Sequence, residues 1–245
     1  MTDLPEPSLV AQLLSLEPVK TWSLIVTVFG DMDGDRISGK DLGALLGPLG
    51  IRPEAMRVAL HRLKKDGWIQ SEKSGREVIY SLSPYGRAET TTAREDVYRR
   101  DAKFADEGWI IAVLPPGATA PEGPHVTVDR GLYVVPARQN ILADALILEP
   151  TGALPTWIEA SLVPDHMRAQ AGELVELTAK FQDHLSAGHD GTHLRLMFLH
   201  LWRKMALRPG TWAHIGLMPD GVMARCHAAM VQFFAQTQPT PSSGM

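Results

Sequence analysis

The sequence predicts an α+β chain built in several parts: a small helical domain closed by a hairpin, a middle region of short strands, and a helical C-terminal region. Three observations carry this expectation. Residues 38–82 run through two amphipathic helical stretches, split by a Gly/Pro turn, into two short β-branched or aromatic runs. Beyond Trp109, brief apolar runs alternate with Gly/Pro breaks. Beyond His166, apolar residues recur at helical spacing.

The stretch 38–82 is the most specific. Ser38 followed by Asp41 is a Ser-x-x-Asp cap: the hydroxyl suits the first-turn amides, and the acid suits the positive end of the helix dipole. Leu42, Leu45 and Leu46 then share one face. Gly47-Pro48-Leu49-Gly50 stops this helix, since glycine accepts the left-handed turn and proline cannot continue the ladder. Pro53 restarts a helix at a position where its missing N–H is harmless. Met56, Ala59, Leu60 and Leu63 form its buried stripe, while Arg57, His61 and Lys65 share another face with Arg62 beside them. From Arg52 to Lys65, the basic residues Arg52, Arg57, Arg62, Lys64 and Lys65 stand against a single acid, Glu54, on a chain of formal net charge −4. Asp66-Gly67 closes the helix. Trp68-Ile69 and Val78-Ile79-Tyr80 read as strands around a loop that carries Lys73, Ser74 and Arg76.

Helix, turn, Pro-started basic helix and basic hairpin is the layout of a winged helix-turn-helix, a module that reads double-stranded DNA. The Pro53 helix is expected in the major groove. Arg52 and Arg57 are the candidates for base or adjacent phosphate contacts, because arginine matches guanine bidentately. Lys40, Arg62, Lys64, Lys65, Lys73 and Arg76 are expected on phosphates. Ser38, Glu54, His61 and Ser74 complete the candidate interface. The plain alternative is a solvated basic face on an ordinary surface helix.

The 245 residues suffice for two or three modest domains. A pI of about 6.1 excludes bulk electrostatic binding, so DNA affinity must come from a local patch. A lone cysteine, Cys226, allows no internal disulfide and suits a reducing cytoplasm. The start, MTDLPEPSLV, lacks the layout of a signal peptide, and no apolar run is long enough to span a bilayer. Cytoplasmic residence without membrane association is expected.

In chain order, Leu9 to Leu16 is a leucine-rich stretch, read as a short helix. Thr21–Phe29 is β-branched and strand-like, yet a helix-turn-helix needs a third helix for its core, so a buried helix is predicted. Asp31, Asp33 and Asp35 alternate like the start of a calcium loop. The Gly and the acid that such a loop needs further on are replaced by Arg36 and Leu42, so an exposed turn is predicted. Arg87–Lys103 reads as a linker helix. Strands are predicted at Trp109–Leu114, Gly131–Pro136, Ala145–Leu148 and Thr156–Ala160. Leu174, Leu177, Phe181 and Leu185 mark one helix, residues 194–207 a denser second and residues 222–234 a third. The tail after Thr237 is rich in Pro, Ser and Gly and is predicted to be disordered. His189, His193 and His200 are read as core or surface histidines, and no metal or cofactor is expected.

The runs SLIVTVFGD (Ser23–Asp31), PLGI (Pro48–Ile51), MRVALHRLKKDGW (Met56–Trp68) and YSLSPYG (Tyr80–Gly86) resemble the phenylacetic acid degradation repressor family, PaaX. The resemblance is specific over residues 20–90 and looser to about residue 235. It implies a transcriptional regulator, read as a repressor, binding an inverted-repeat operator as a homodimer. It implies three domains and a linker helix: winged helix-turn-helix 1–90, linker helix 91–107, ferredoxin-like domain 108–165 and C-terminal helical domain 166–245. The central domain is similar to a small CRISPR adaptation nuclease, but the strand ends Leu114-Pro115-Pro116 without the metal-holding acid, so nuclease activity is not expected. The implied effector is phenylacetyl-CoA or another aromatic acyl-CoA, acting near LHLWRKMALRP, where His200, Trp202 and Arg203 are the candidate contacts. Arg208-Pro209-Gly210 and Pro219-Asp220-Gly221 depart from the turns that the family usually shows there.

Two rival readings remain. One is an enzyme acting on an acyl-CoA, against which no Ser/His/Asp or Cys/His arrangement at motif spacing and no Gly-rich phosphate loop is found. The other is a winged helix that serves as a protein-interaction module. No catalytic residue is expected.

Overall fold

The computed structural model describes residues 6–32, 34–141, 143–186 and 191–240. It is α+β, with helices and two small antiparallel sheets. The chain groups into two compact units: residues 1–97 with 177–203 and 232–245, and residues 98–176 with 204–231. This division differs from the linear partition expected from sequence, because part of the C-terminal region groups with the N-terminal one. No single helix among the described residues is long and apolar enough to cross a membrane.

The first unit opens with α1 (Glu6–Leu16) and α2 (Thr21–Asp31). The β-branched run is a helix, as the motif requires. Leu24, Ile25, Val28 and Phe29 are all buried, and burial on nearly every side overrides strand propensity. β1 (Arg36–Ser38), α3 (Gly39–Leu46), a 3-10 turn (Gly47–Leu49), α4 (Pro53–Lys65), β2 (Ile69–Ser74), β3 (Glu77–Leu82) and α5 (Pro84–Val97) follow. The small sheet has the order β1-β3-β2, with Ile69 opposite Leu82 and Ser74 opposite Glu77. α4 ends in a Schellman motif: Gly67 adopts φ 75° and its N–H donates to the Lys64 carbonyl, while the Trp68 N–H donates to that of Leu63. This fixes the angle at which the hairpin leaves the helix.

The unit is completed from the other end of the chain. The helices α7 (Asp165–Ser186), α8 (Thr192–Ala206) and α10 (Val222–Gln236) contribute Phe181, Phe198 and Phe233, whose ring centroids lie 4.6–6.0 Å apart. At its centre is an ion pair. Asp31 is 1% exposed and Arg195 4%. Arg195 Nε and Nη2 donate to the Asp31 carboxylate at 2.7–3.0 Å. Its Nη1 donates to the carbonyl and hydroxyl oxygens of Thr237 at 3.1 and 2.6 Å. The backbone N–H and hydroxyl of Thr240 donate to Asp31 Oδ2 at 2.9 and 2.8 Å. The tail predicted to be disordered from Thr237 is therefore fastened as far as Thr240. Its Pro/Ser composition gave no sign that two threonines would close a buried charge pair. Residues 241–245 lie outside the described residues.

The second unit holds β4 (Trp109–Val113), β5 (Val126–Asp129), β6 (Leu132–Pro136) and β7 (Leu146–Leu148) in the antiparallel order β5-β6-β4-β7. The strand order and the antiparallel pairing of every neighbour are those of a ferredoxin-like sheet, while β4 to β5 and β6 to β7 are joined without a helix among the described residues. Pro115-Pro116-Gly117 and Pro121 make the first connection irregular. The predicted strand at Thr156–Ala160 is instead the first part of α6 (Thr156–Leu162). Its buried residues, Ile158 and Leu162, are four apart, a helical spacing that a shorter window conceals. α9 (Pro209–Leu217) packs on α6 and β4. The approach is close enough that a Cβ on Gly210 would stand 2.1 Å from the Leu162 carbonyl oxygen, and one on Gly216 2.1 Å from the Trp109 ring.

Two buried imidazoles lie in this unit. Burial holds the pKa of His214 below its ordinary value, with Glu159 opposing that shift and Arg168 reinforcing it. Burial likewise lowers that of His227, whose Nε2–H donates to the Arg99 carbonyl at 2.8 Å. Burial pushes the Cys226 thiol up to about 12.

Two outcomes are expected. Asp31→Ala leaves Arg195 buried without its carboxylate and should lower stability by about 3–5 kcal/mol. Thr240→Val, which removes one hydroxyl donor, should cost about 1 kcal/mol. Urea denaturation followed by tryptophan fluorescence measures both, and equal losses would refute a charge-centred tail latch. For the histidines, the unfolded chain takes up protons first as pH falls through about 6.5, because burial disfavours the charged form of both rings in the folded chain. Their stabilisation is therefore complete above that pH and is lost below it. Between about pH 7.5 and 5.5 the melting temperature should fall more in the parent than in His214→Gln/His227→Gln, and parallel slopes would refute this.

Candidate nucleic-acid interface

The candidate interface is built on α4 and the β2–β3 hairpin. The apolar side of α4 is spent on packing: Ala59, Leu60 and Leu63 are buried, Met56 is half-buried, and α2 packs against the helix. Its opposite side is left to solvent. Glu54, Val58, His61 and Lys65 follow one another along that side at steps of four, three and four residues, and all are exposed. Arg57 and Arg62 flank them, also exposed. Arg52 is the N-cap of the helix in extended conformation, with Pro53 behind it.

Several of these cations are oriented rather than loose. Arg57 Nη2 donates to Glu54 Oε1 at 2.9 Å and its Nε to the Pro53 carbonyl at 3.4 Å. Arg62 stands over the Trp22 ring, 5.6 Å from its centroid, with its Nε 3.5 Å from Asp66 Oδ2. Lys64 reaches the hairpin and donates to Ser71 Oγ at 2.7 Å. Arg36 of β1 pairs with Glu72 of β2. Trp22, Ser71 and the Arg36–Glu72 pair were not picked out from sequence. Each contact joins different elements, so no local spacing signals it.

Lys73, Ser74 and Arg76 lie at the exposed hairpin turn, where Gly75 takes φ 59°. Lys40 is exposed near the start of α3. Ser38 is the exception among the candidates. It is 2% exposed, and its Oγ accepts from the Asp41 N–H at 3.0 Å as the N-cap of α3. The structure gives this side chain a capping role.

Of the candidate effector residues, His200 and Trp202 are buried in the first unit and Arg203 is half-buried. His200 Nδ1 meets Thr27 Oγ1 at 3.1 Å, Trp202 Nε1 donates to the Val97 carbonyl at 2.9 Å, and Arg203 Nη2 donates to Ser23 Oγ at 3.1 Å. These contacts tie α8 to α2 and the end of α5. Burial lowers the Arg203 pKa. Among the described residues no group of three or more His, Cys, Asp or Glu side chains is gathered to hold a metal ion. His189, and Asp33 of the acidic loop, lie outside the described residues.

Comparison with known proteins locates the same region. Residues 20–86, which run from α2 through the hairpin into α5, match the family of PaaX-like proteins. A 97-residue stretch is 37% identical to the transcriptional repressor PaaX of Escherichia coli. That match covers 38% of this chain and 31% of the E. coli protein, so the likeness spans about a third of the relative's length.

The geometry of α4 leads to an expected outcome. Arg57 is aimed by Glu54 and lies beside the outer ridge, so Arg57→Ala should weaken binding to a selected duplex by about 1–3 kcal/mol and relax preference at one base position. Fluorescence-anisotropy titrations giving the same affinity and the same base preference would refute a reading role for Arg57.

Proposed function

We propose that this chain is a DNA-binding transcriptional repressor of the PaaX type, with residues 1–90 as its reading head, and that it is not an enzyme. The observation that carries this reading is the division of α4 into two sides. One is apolar and packed; the other bears the exposed, partly pre-oriented cations Arg57, Arg62 and Lys65, next to a hairpin turn carrying Lys73 and Arg76. Such a surface on a chain of net charge −4 fits local attraction to phosphates with a helix in the major groove. The PaaX-like character of residues 20–86 supports it.

In this reading the N-terminal part of α4 meets base edges through Arg52 and Arg57. Lys40, Arg62, Lys64, Lys65, Lys73 and Arg76 set register on the backbone. A homodimer would hold two such helices about 34 Å apart, one turn of DNA, and so read an inverted repeat in the cytoplasm. Release by phenylacetyl-CoA or another aromatic acyl-CoA completes the proposal and rests on the family resemblance. Such a ligand would act by favouring a dimer geometry that does not fit the operator.

A salt titration combined with a ligand panel tests the reading. Duplex affinity should fall steeply with salt, and an aromatic acyl-CoA should raise the melting temperature of the free protein while lowering duplex affinity. Salt-independent binding would point to a protein-interaction module. Release of free thiol from the thioesters would point to an enzyme.

A further inference from the structure

We infer that Val58 is a specificity-determining residue that reads the C5-methyl group of a thymine, an inference that rests on the DNA-binding reading above. Val58 is 71% exposed, more than any other large apolar side chain noted as exposed among the described residues. It stands mid-helix on α4, on the outer ridge between Glu54 and His61, with Arg57 next to it in sequence. Nothing in the fold calls for it. The buried stripe of α4 is formed by Ala59, Leu60 and Leu63, and a β-branched residue is a poorer helix former than alanine or the charged residues around it.

The surroundings narrow what this side chain can meet. An isopropyl group with only the exposed Ala55 as an apolar neighbour along its ridge, beside Glu54, Arg57, His61 and Arg62, is too small for the apolar centre of a protein interface. It is the right size for one methyl group. Once Arg57, Arg62, Lys65 and the hairpin cations bring a duplex against this face, Val58 is pressed toward the floor of the major groove. The thymine methyl is the one apolar group that a base pair presents there. Burying isopropyl against methyl is favourable, whereas placing it against a cytosine amino group leaves that donor without water or a partner. The position thus favours thymine and penalises cytosine, while the flanking arginines handle guanine and phosphate.

The test uses the full chain and a random-sequence duplex pool. Sequences selected by the parent protein are resynthesised with each thymine in turn replaced by deoxyuridine, which deletes only the methyl group. One position per half-site should lose about three- to fivefold in affinity, the worth of one buried methyl. Val58→Ser should bind the all-thymine duplex that much more weakly and be indifferent to deoxyuridine at that position. It should keep the parent's affinity for unselected duplex, which also reports that it is folded. Two results would overturn the inference while leaving the regulator reading intact: a parent protein insensitive to every deoxyuridine, or a Val58→Ser protein with the parent's methyl dependence. A parent protein that binds no duplex at any salt concentration would overturn both.

Discussion

The first unit depends on a charge pair that water does not reach. Moving a carboxylate and a guanidinium out of water costs several kcal/mol for each ion, and mutual attraction offsets this only when the remaining lone pairs and N–H groups are also satisfied. Asp31 and Arg195 meet that condition together with Thr237 and Thr240, at 2.6–3.1 Å. The arrangement gains most when it is complete, since each missing donor leaves a buried acceptor without a partner. Asp31 ends α2, the helix on which α4 packs, while Arg195 belongs to α8 and the threonines to the C-terminal tail. The support of α4 is thereby assembled from residues more than 160 positions apart.

α4 divides its two sides between packing and exposed charge without conflict. Its hydrophobic side fixes orientation, and its other side is released for charge. The chain as a whole is acidic, yet at physiological ionic strength fields fade over about 8 Å, so a phosphate near α4 responds to local cations more than to distant acids. Pre-orientation adds to this. Glu54 holds the Arg57 guanidinium, and the Trp22 ring lies under Arg62, so less side-chain freedom remains to be lost on contact.

The features legible in the sequence were those whose physics is local. Ser38 caps α3, Pro53 starts α4, and Gly67 closes it, because capping, a fixed φ and a left-handed turn are each decided within a few residues. The exposed basic side of α4 was legible for the same reason. Where tertiary contacts decide, sequence spacing carried less. The Thr21–Phe29 helix was reached only by asking what the motif needs beneath it. Thr156–Ala160 looked like a strand because its apolar residues form a short run, and the helical step to Leu162 falls beyond it. The tail looked unstructured because its partners, Asp31 and Arg195, stand far away in the chain. Ser38 was legible as a cap, but its burial, which depends on β1 and its sheet, was not, so it also stood among the interface candidates. His200, Trp202 and Arg203 were named as effector contacts from the family resemblance, since sequence spacing alone does not separate a site from a core in a dense apolar helix with polar insertions.

α2 carries both relationships at once. One side of it supports α4, and it also receives Arg195, His200 and Arg203 from α8. Shifting α8 against α2 would have to break the buried pair, at about 3–5 kcal/mol, and the two neighbouring hydrogen bonds besides. Allosteric coupling between sites typically amounts to about 1–3 kcal/mol. A ligand of ordinary coupling strength therefore cannot act by prying this unit apart. Under the proposed function, a ligand would then leave this unit intact and act on how copies of it are presented to the duplex.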